Sequence, residues 1–236
     1  MTRPARPARA PRADGSDTRR RILEVAGTIY AEQGVARTTS KDICARAGVN
    51  LAAVNYHFGS KDALYGAVLV EAHSQLVALE DLQRIAIGPG SPRARLERVL
   101  RLLLDRVATG RQPWGLKVLV HEMLAPSAQV PVLIRRAVKP KARLLFALVG
   151  EVLGVPQDHP AVQRAMLSAV LHCVVLLVAP RALRRDVLPA LAAAPEDVVG
   201  DLVAFAMAGL SALRRRHAPA MRAPVSDRAA RPRRRP

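Results

Sequence analysis

Three closely spaced glycines govern what the front of this chain can become: Gly34, Gly48 and Gly59 cut it into short helical pieces. Glycine takes the left-handed backbone that ends a helix more readily than any other residue, so each one marks a stop. The first piece, Asp17 to Gln33, carries Ile22, Leu23, Ala26, Ile29 and Tyr30 at i, i+1, i+4, i+7 and i+8, the stripe of a helix buried on one face. Asp17 is expected to cap its start, and Gly27 to mark a close contact in its middle. The second piece opens at Thr39 with Asp42 three residues on, a reciprocal capping arrangement with Asp where Glu is usual; its apolar positions are Ile43, Cys44 and Ala47. The third opens on Asn50, a strong N-cap, and runs only to about Phe58. Ser60 is expected to cap a long fourth helix through Ala63, Leu64, Ala67, Val68, Ala72, Leu76 and Leu79.

After residue 60 the breaks move apart. They fall at 88–92, 110–113, Pro126, 154–160 and 189–195, leaving helices of roughly 15–20 residues between them. No stretch alternates apolar and polar residues for long, and no repeat appears, so the fold class is all-α. Half of the residues are hydrophobic, which excludes a wholly disordered chain. No apolar run reaches 18 residues. The nearest approach, 165–179, contains Ser168 and His172 and stops at Pro180, as a buried helix would, so no membrane is expected among the partners. The N-terminus is basic and Pro-rich with no apolar segment behind it, so no secretory signal is expected. Cys44 and Cys173 lie in apolar stretches without C-x-x-C spacing and read as small core residues in a reducing cytoplasm.

Two short helices joined by a glycine turn and propped by a longer helix make a helix-turn-helix. In that motif the second short helix enters the major groove of DNA. The residues suit such a helix. Leu51, Ala52 and Ala53 are small or apolar and can touch thymine methyls, and Asn55 can pair with an adenine edge. Tyr56 and His57 then fall at the groove wall, and Lys61 opens the next helix, where phosphates are held. The adjacent Val54, Phe58, Leu64 and Tyr65 are spaced to face the first helix as core.

Charge supports this only indirectly. The net charge is +18, but residues 1–21 carry seven Arg and two Asp, and residues 211–236 carry nine Arg and one Asp. Thirteen of the eighteen charges thus sit in two Arg/Pro/Ala tails with no periodic apolar face, which are expected to be disordered. They attract polyanions without reading sequence, or they reflect codon composition; total charge does not decide between the two. Residues 22–65 hold four basic and four acidic side chains, so the reading head itself is neutral.

The run Thr38-Thr39-Ser40-Lys41-Asp42-Ile43, continued by residues 48–65 with Tyr56-His57-Phe58-Gly59-Ser60-Lys61 at its centre, resembles the DNA-binding domain of TetR/AcrR-family transcriptional regulators. The resemblance spans residues 17–66 without a gap. It implies an all-α homodimer: an N-terminal three-helix helix-turn-helix domain that grips double-stranded, palindromic operator DNA, and a helical C-terminal domain that binds a small-molecule effector and dimerises. Carried over position by position, base contacts fall on Lys41, Leu51, Ala52, Ala53, Asn55 and Tyr56, and phosphate contacts on Thr39, Ser40, Tyr56, His57 and Lys61. Further on, Leu119 to Ser127, with its E-x-x-x-P-S segment at Glu122, Pro126 and Ser127, followed by Val138-Lys139-Pro140, resembles the subgroup with a CerR-type C-terminal domain.

The implied organisation is a basic tail (1–16), the helix-turn-helix domain (17–66), a helical ligand-binding and dimerisation domain (67–213) and a second basic tail (214–236). The late helices are the expected dimer contact: 162–178 is apolar nearly all round, and Val198, Val199, Leu202, Val203, Phe205, Ala206, Gly209 and Leu213 give the last helix a broad apolar face. Ligand-pocket candidates are Trp114, His121, Glu122, Met123, Phe146, His172 and Cys173, which add polar groups to apolar helices. No cofactor, metal site or catalytic residue is expected. His121-Glu122 and His172-Cys173 lack ligand spacing, and no P-loop, G-x-S-x-G or H-E-x-x-H occurs. The reading is therefore a ligand-responsive repressor, not an enzyme, working in the bacterial cytoplasm and on the nucleoid when bound to DNA. The alternative is a DNA-compacting protein acting through its Arg-rich tails.

Overall fold

Each stop predicted at the front of the chain falls where the backbone needs it: Gly34, Gly48 and Gly59 adopt φ of 79°, 63° and 83°. The computed structural model describes residues 13–108, 113–178, 181–189 and 195–217. Both Arg/Pro tails lie largely outside these. Among the described residues every regular element is helical: α1 (Ala13–Gln33), α2 (Ser40–Ala47), α3 (Leu51–Phe58), α4 (Lys61–Leu76), α5 (Leu79–Ala86), α6 (Pro92–Ala108), α7 (Trp114–Leu124), α8 (Val130–Leu133), α9 (Lys139–Leu153), α10 (Pro160–Val178), α11 (Arg181–Asp186) and α12 (Pro195–His217). A π-helical turn, Ile134–Val138, joins α8 to α9. Pro140, in the first turn of α9, has no N–H to return to the preceding turn, which accounts for the widened turn before it.

Two expected helix limits are corrected. α1 begins at Ala13, so Asp17 lies inside it and accepts a hydrogen bond from Arg20 one turn on (3.0 Å) instead of capping the start. α4 stops at Leu76, because Val77 takes an extended backbone and buries its side chain in the C-terminal core. Leu79 therefore opens α5 and does not continue α4.

The apolar side chains gather into two cores. The first joins Ile22, Ala26, Ile29 and Tyr30 of α1 to Ile43 and Ala47 of α2, Val54 of α3 and Leu64, Val68 and Leu69 of α4. Each large side chain fully buried here contributes about 1.5–3 kcal/mol. Val118 and Leu119 of α7 belong to this core too, so α7 braces the head. Two glycines make that docking possible. A methyl on Gly27 would come within 2.6 Å of the Trp114 ring, and one on Gly115 within 2.6 Å of Ala72 Cα. The second core packs α6, α9, α10 and α12 around Leu100, Leu104, Leu148, Val162, Val203 and Leu210.

Candidate nucleic-acid interface and ligand cavity

The helix-turn-helix is held by local caps. Thr39 Oγ1 accepts from Asp42 N–H (3.2 Å), and the Asp42 carboxylate accepts from Thr39 N–H (2.9 Å) and its hydroxyl (2.6 Å). These bonds to Thr39, then the nearby charges of Lys41 and Lys61, hold the Asp42 carboxyl below its ordinary range. Asn50 Oδ1 accepts from Ala53 N–H (2.9 Å), and Ser60 Oγ from Ala63 N–H (3.0 Å). Arg46 grips Glu32 with both guanidinium arms (2.6 and 3.1 Å), tying α2 to α1. With the core shared by α1, α2, α3 and α4, this makes the head one packed unit.

That unit leaves one face of α3 bare. Val54 is buried and Phe58 packs against the core with the Arg19 guanidinium 4.9 Å above its ring, while Leu51, Ala52, Asn55 and Tyr56 share the outer face. Tyr56 is 86% exposed and Leu51 about half exposed. Leu51 and Tyr56 stand at the two edges of this exposed face, with Ala52 and Asn55 between them. Ala53 and His57 flank it half-buried, with the His57 ring edge-on to Tyr56 at 5.0 Å. Lys41 and Ser40 lie at the start of α2, exposed and half-buried. Two of the expected phosphate ligands are already engaged: the Thr39 hydroxyl closes its capping box, and Lys61 Nζ donates to the Val35 carbonyl (3.3 Å).

The pocket candidates whose side chains are described do not converge. Trp114 lies on the joint between α1 and α7, its Nε1 donating to Glu24 (2.7 Å). Glu122 is 4% exposed and accepts from the Tyr65 hydroxyl (2.7 Å), from Ser127 N–H (2.9 Å) and from Ser127 Oγ (2.7 Å). The E-x-x-x-P-S segment is thus a hydrogen-bonded turn that also catches α4. Burial, then the bond to Glu122, pushes the Tyr65 phenol well above its ordinary range. His121 and Met123 are exposed, and Phe146 packs half-buried against the second core. The side chains of His172 and Cys173 lie outside what the structure describes.

An apolar cavity of about 190 Å³ opens elsewhere, where the end of α4 meets α5, α6, α9 and α10. Trp114, His121, Glu122, Met123 and Phe146 do not line it. Its polar groups are His73 and Lys141, which sequence reasoning missed. Lys141 directly follows the Val138-Lys139-Pro140 segment, and nothing in that run marks it as buried.

The model of the family described as "Bacterial regulatory proteins, tetR family" matches residues 22–68. A second, "HTH-type transcriptional dual regulator CecR, C-terminal domain", matches residues 92–210, half of the chain. The chain belongs to the TetR family. Its C-terminal domain is of the CecR type, the subgroup expected above under the name CerR. The family is one of regulatory proteins, not enzymes.

Among curated relatives of this TetR-family chain, the HTH-type transcriptional repressor Rv3405c of Mycobacterium tuberculosis is 41% identical over 111 residues, covering 47% of this chain and 59% of the relative. The regulator AcrR of Shigella flexneri is 32% identical over 102 residues, 43% of this chain and 47% of its own length. The chain thus spans about half the length of these relatives. The dual regulator CecR of Shigella flexneri is 27% identical over 154 residues, covering 59% and 66%. The fold is shared with the fatty acid degradation regulator FadR from Bacillus halodurans (TM-score 0.61, 15% identity, 80% of this chain and 98% of that one). It is also shared with a TetR-like regulator from Rhodococcus sp. (TM-score 0.53, 21% identity, 88% and 97%). Among the described residues no helix is long and apolar enough to cross a membrane.

Proposed function

We propose that this chain is a ligand-responsive transcriptional repressor that binds a palindromic operator as a homodimer, at the chromosome in the bacterial cytoplasm. One observation carries the reading: the bare face of α3, with Leu51, Ala52, Asn55 and Tyr56 exposed on a helix fixed by caps at both ends. In this reading Leu51, Ala52 and Ala53 lie against thymine methyls, Asn55 pairs with an adenine, and Lys41 and Tyr56 reach neighbouring base edges. Ser40, Tyr56, His57 and the remaining donors of Lys61 hold phosphates, and Thr39 serves them through the cap it forms. The Rv3405c relative, named a transcriptional repressor, supports the repressor sign.

The homodimer rests on α10 and α12. The apolar residues of α12 divide between two directions: Val199, Val203, Ala206 and Leu210 are buried in the chain's own core and Leu202 packs against it, whereas Phe205 is 74% exposed. Leu167 of α10 is 63% exposed, and a groove between α10 and α12 is lined by Phe205 and by small residues that include Ala169, Gly209 and Ala212. A second copy of this surface, related by a two-fold axis, fits such an apolar ridge and groove.

The test is selection of duplexes from a random pool by the full chain. The expected product is an inverted repeat whose half-site centres lie about one helical turn apart, ~34–36 Å. Recovery of unrelated sequences, all bound alike, would overturn the reading in favour of compaction through the tails.

A further inference from the structure

Lys141 is a buried cation with no carboxylate in contact among the described residues. It projects from α9 into the cavity described above and is 4% exposed. Leu103, Leu145 and Met166 form apolar walls there, and Leu76 and Val77 close the end of α4. An ammonium removed from water is costly unless an opposite charge meets it. Its partners are neutral: Nζ lies 2.9 Å from His73 Nδ1 and 3.0 Å from the His73 carbonyl oxygen. A lysine ammonium only donates, so His73 Nδ1 accepts and its ring proton resides on Nε2. The ammonium has three N–H groups, and these two acceptors, both on one residue, leave one to point elsewhere. No carboxylate forms an ion pair with Lys141 among the described residues.

We propose that this cavity takes a compact apolar carboxylic acid, its body against Leu103, Leu145 and Met166 and its carboxylate paired with the Lys141 ammonium beside His73. This deepens the reading above, since it rests on the C-terminal domain being the sensor of a small molecule. The size follows from the cavity: an apolar cavity of about 150 Å³ accepts benzene, and this one is slightly larger, at about 190 Å³. The charge follows from the single cation. A dianion such as a phosphate ester would bring a second charge with no cation to meet it, while a neutral ligand would leave Lys141 as poorly matched as before.

The electrostatics give this pairing a signature. Burial holds the Lys141 ammonium down at about 8, against the opposing pull of Glu80 on α5 and Glu71 on α4. Burial, then Lys141 itself, lowers the His73 imidazole to about 4, so it stays neutral near neutral pH. From α6 and α10 the described side chains facing the cavity are apolar. A bound carboxylate favours the charged form of Lys141 and restores its proton. Binding well above this range, at pH 9.5, therefore takes up more protons than binding below it. Binding at pH 6.5, where Lys141 is already charged, takes up none.

Calorimetric titration of the full chain with benzoate, phenylacetate, hexanoate and octanoate, each beside its neutral amide, tests this in buffers of different ionisation enthalpy. The expected result is saturable binding of at least one acid, more than tenfold tighter than its amide. Proton uptake on binding should be clearly larger at pH 9.5 than at pH 6.5. Acetate, which has the charge without the body, should bind far more weakly. Lys141→Met should abolish the preference for acid over amide; the proton count on the unaltered protein decides the matter should that variant not fold. The proposal is overturned if no acid exceeds its amide, or if acetate reproduces the signal, which would assign it to the Arg-rich tails. Selection of operator DNA without any acid present tests the regulator reading separately, so a protein that selects an operator but ignores all four acids loses this inference alone.

Discussion

Tyr65→Phe removes a single hydroxyl at the joint between the reading head and the rest of the chain. That hydroxyl is buried and donates to the Glu122 carboxylate at 2.7 Å, while the same carboxylate also holds the Ser127 N–H and hydroxyl. Hydrogen bonds to charged groups contribute about 1.5–3 kcal/mol, so the variant is expected to lose about 2 kcal/mol of stability. For a chain of this size that lowers the melting temperature by about 4–8 °C. Glu122→Ala removes the acceptor and strands all three donors: the buried phenol at about 2 kcal/mol and the half-buried Ser127 N–H and hydroxyl at about 1 kcal/mol more. Because the two variants break the same bond, the double variant should cost much less than the sum, with a coupling of more than about 1 kcal/mol. Urea unfolding at one fixed protein concentration, followed by fluorescence, measures all three. Trp114 is the single tryptophan and stands on the same joint, so its signal reports this region. A loss below about 0.5 kcal/mol for Tyr65→Phe, or a coupling indistinguishable from zero, would refute the role given to this bond.

Gly115→Ala would press a methyl to 2.6 Å from Ala72 Cα and 2.8 Å from its carbonyl oxygen, backbone that cannot easily give way; a loss of about 1–3 kcal/mol by thermal melting is expected, and an unchanged melting temperature would refute the close packing of α4 on α7. Phe205→Arg should shift sedimentation toward monomer and weaken operator binding, because it places a charge in the proposed interface; a variant that sediments like the parent would remove α12 from that interface. Deleting residues 1–12 and 218–236 removes ten Arg and one Asp. The salt slope of log K should become shallower by about 0.9 for each phosphate that the tails no longer neutralise, with operator preference kept. Loss of that preference would mean that a tail reads a groove.

The head was legible because its signals are local. Thr39 with Asp42, Asn50 and Ser60 each bond to a backbone N–H within three residues, and Gly48 and Gly59 declare their turns by composition. Gly27 signalled a close approach, though the Trp114 ring that fills it comes from 87 positions along the chain. The errors arise where tertiary packing overrules local pattern. Nothing in the run from Leu76 to Leu79 breaks the helical spacing, yet burial of Val77 in the second core ends α4 there. Asp17 has the chemistry of a cap, but α1 passes through it and begins at Ala13. The cavity was hidden most thoroughly: His73 and Lys141 are 68 positions apart, and a lysine in a K-P-K run carries no mark of being buried. The last helix is apolar over a broad face, so its inward Leu202 and outward Phe205 separate only once the core is known.

The central claim is that α3 reads bases, and Asn55 tests it most directly. Asn55 is exposed beside Tyr56; its part in the C-cap is its backbone carbonyl, which accepts the Gly59 N–H, so its replacement leaves both ends of α3 intact. Base preferences of the parent and of Asn55→Ala are measured by competitive binding to every single-base variant of the selected operator. The expected result is loss of discrimination at one position in each half-site, amounting to about 1–3 kcal/mol, with preferences elsewhere unchanged. A variant that keeps every base preference of the parent would contradict the assignment of this face to the major groove.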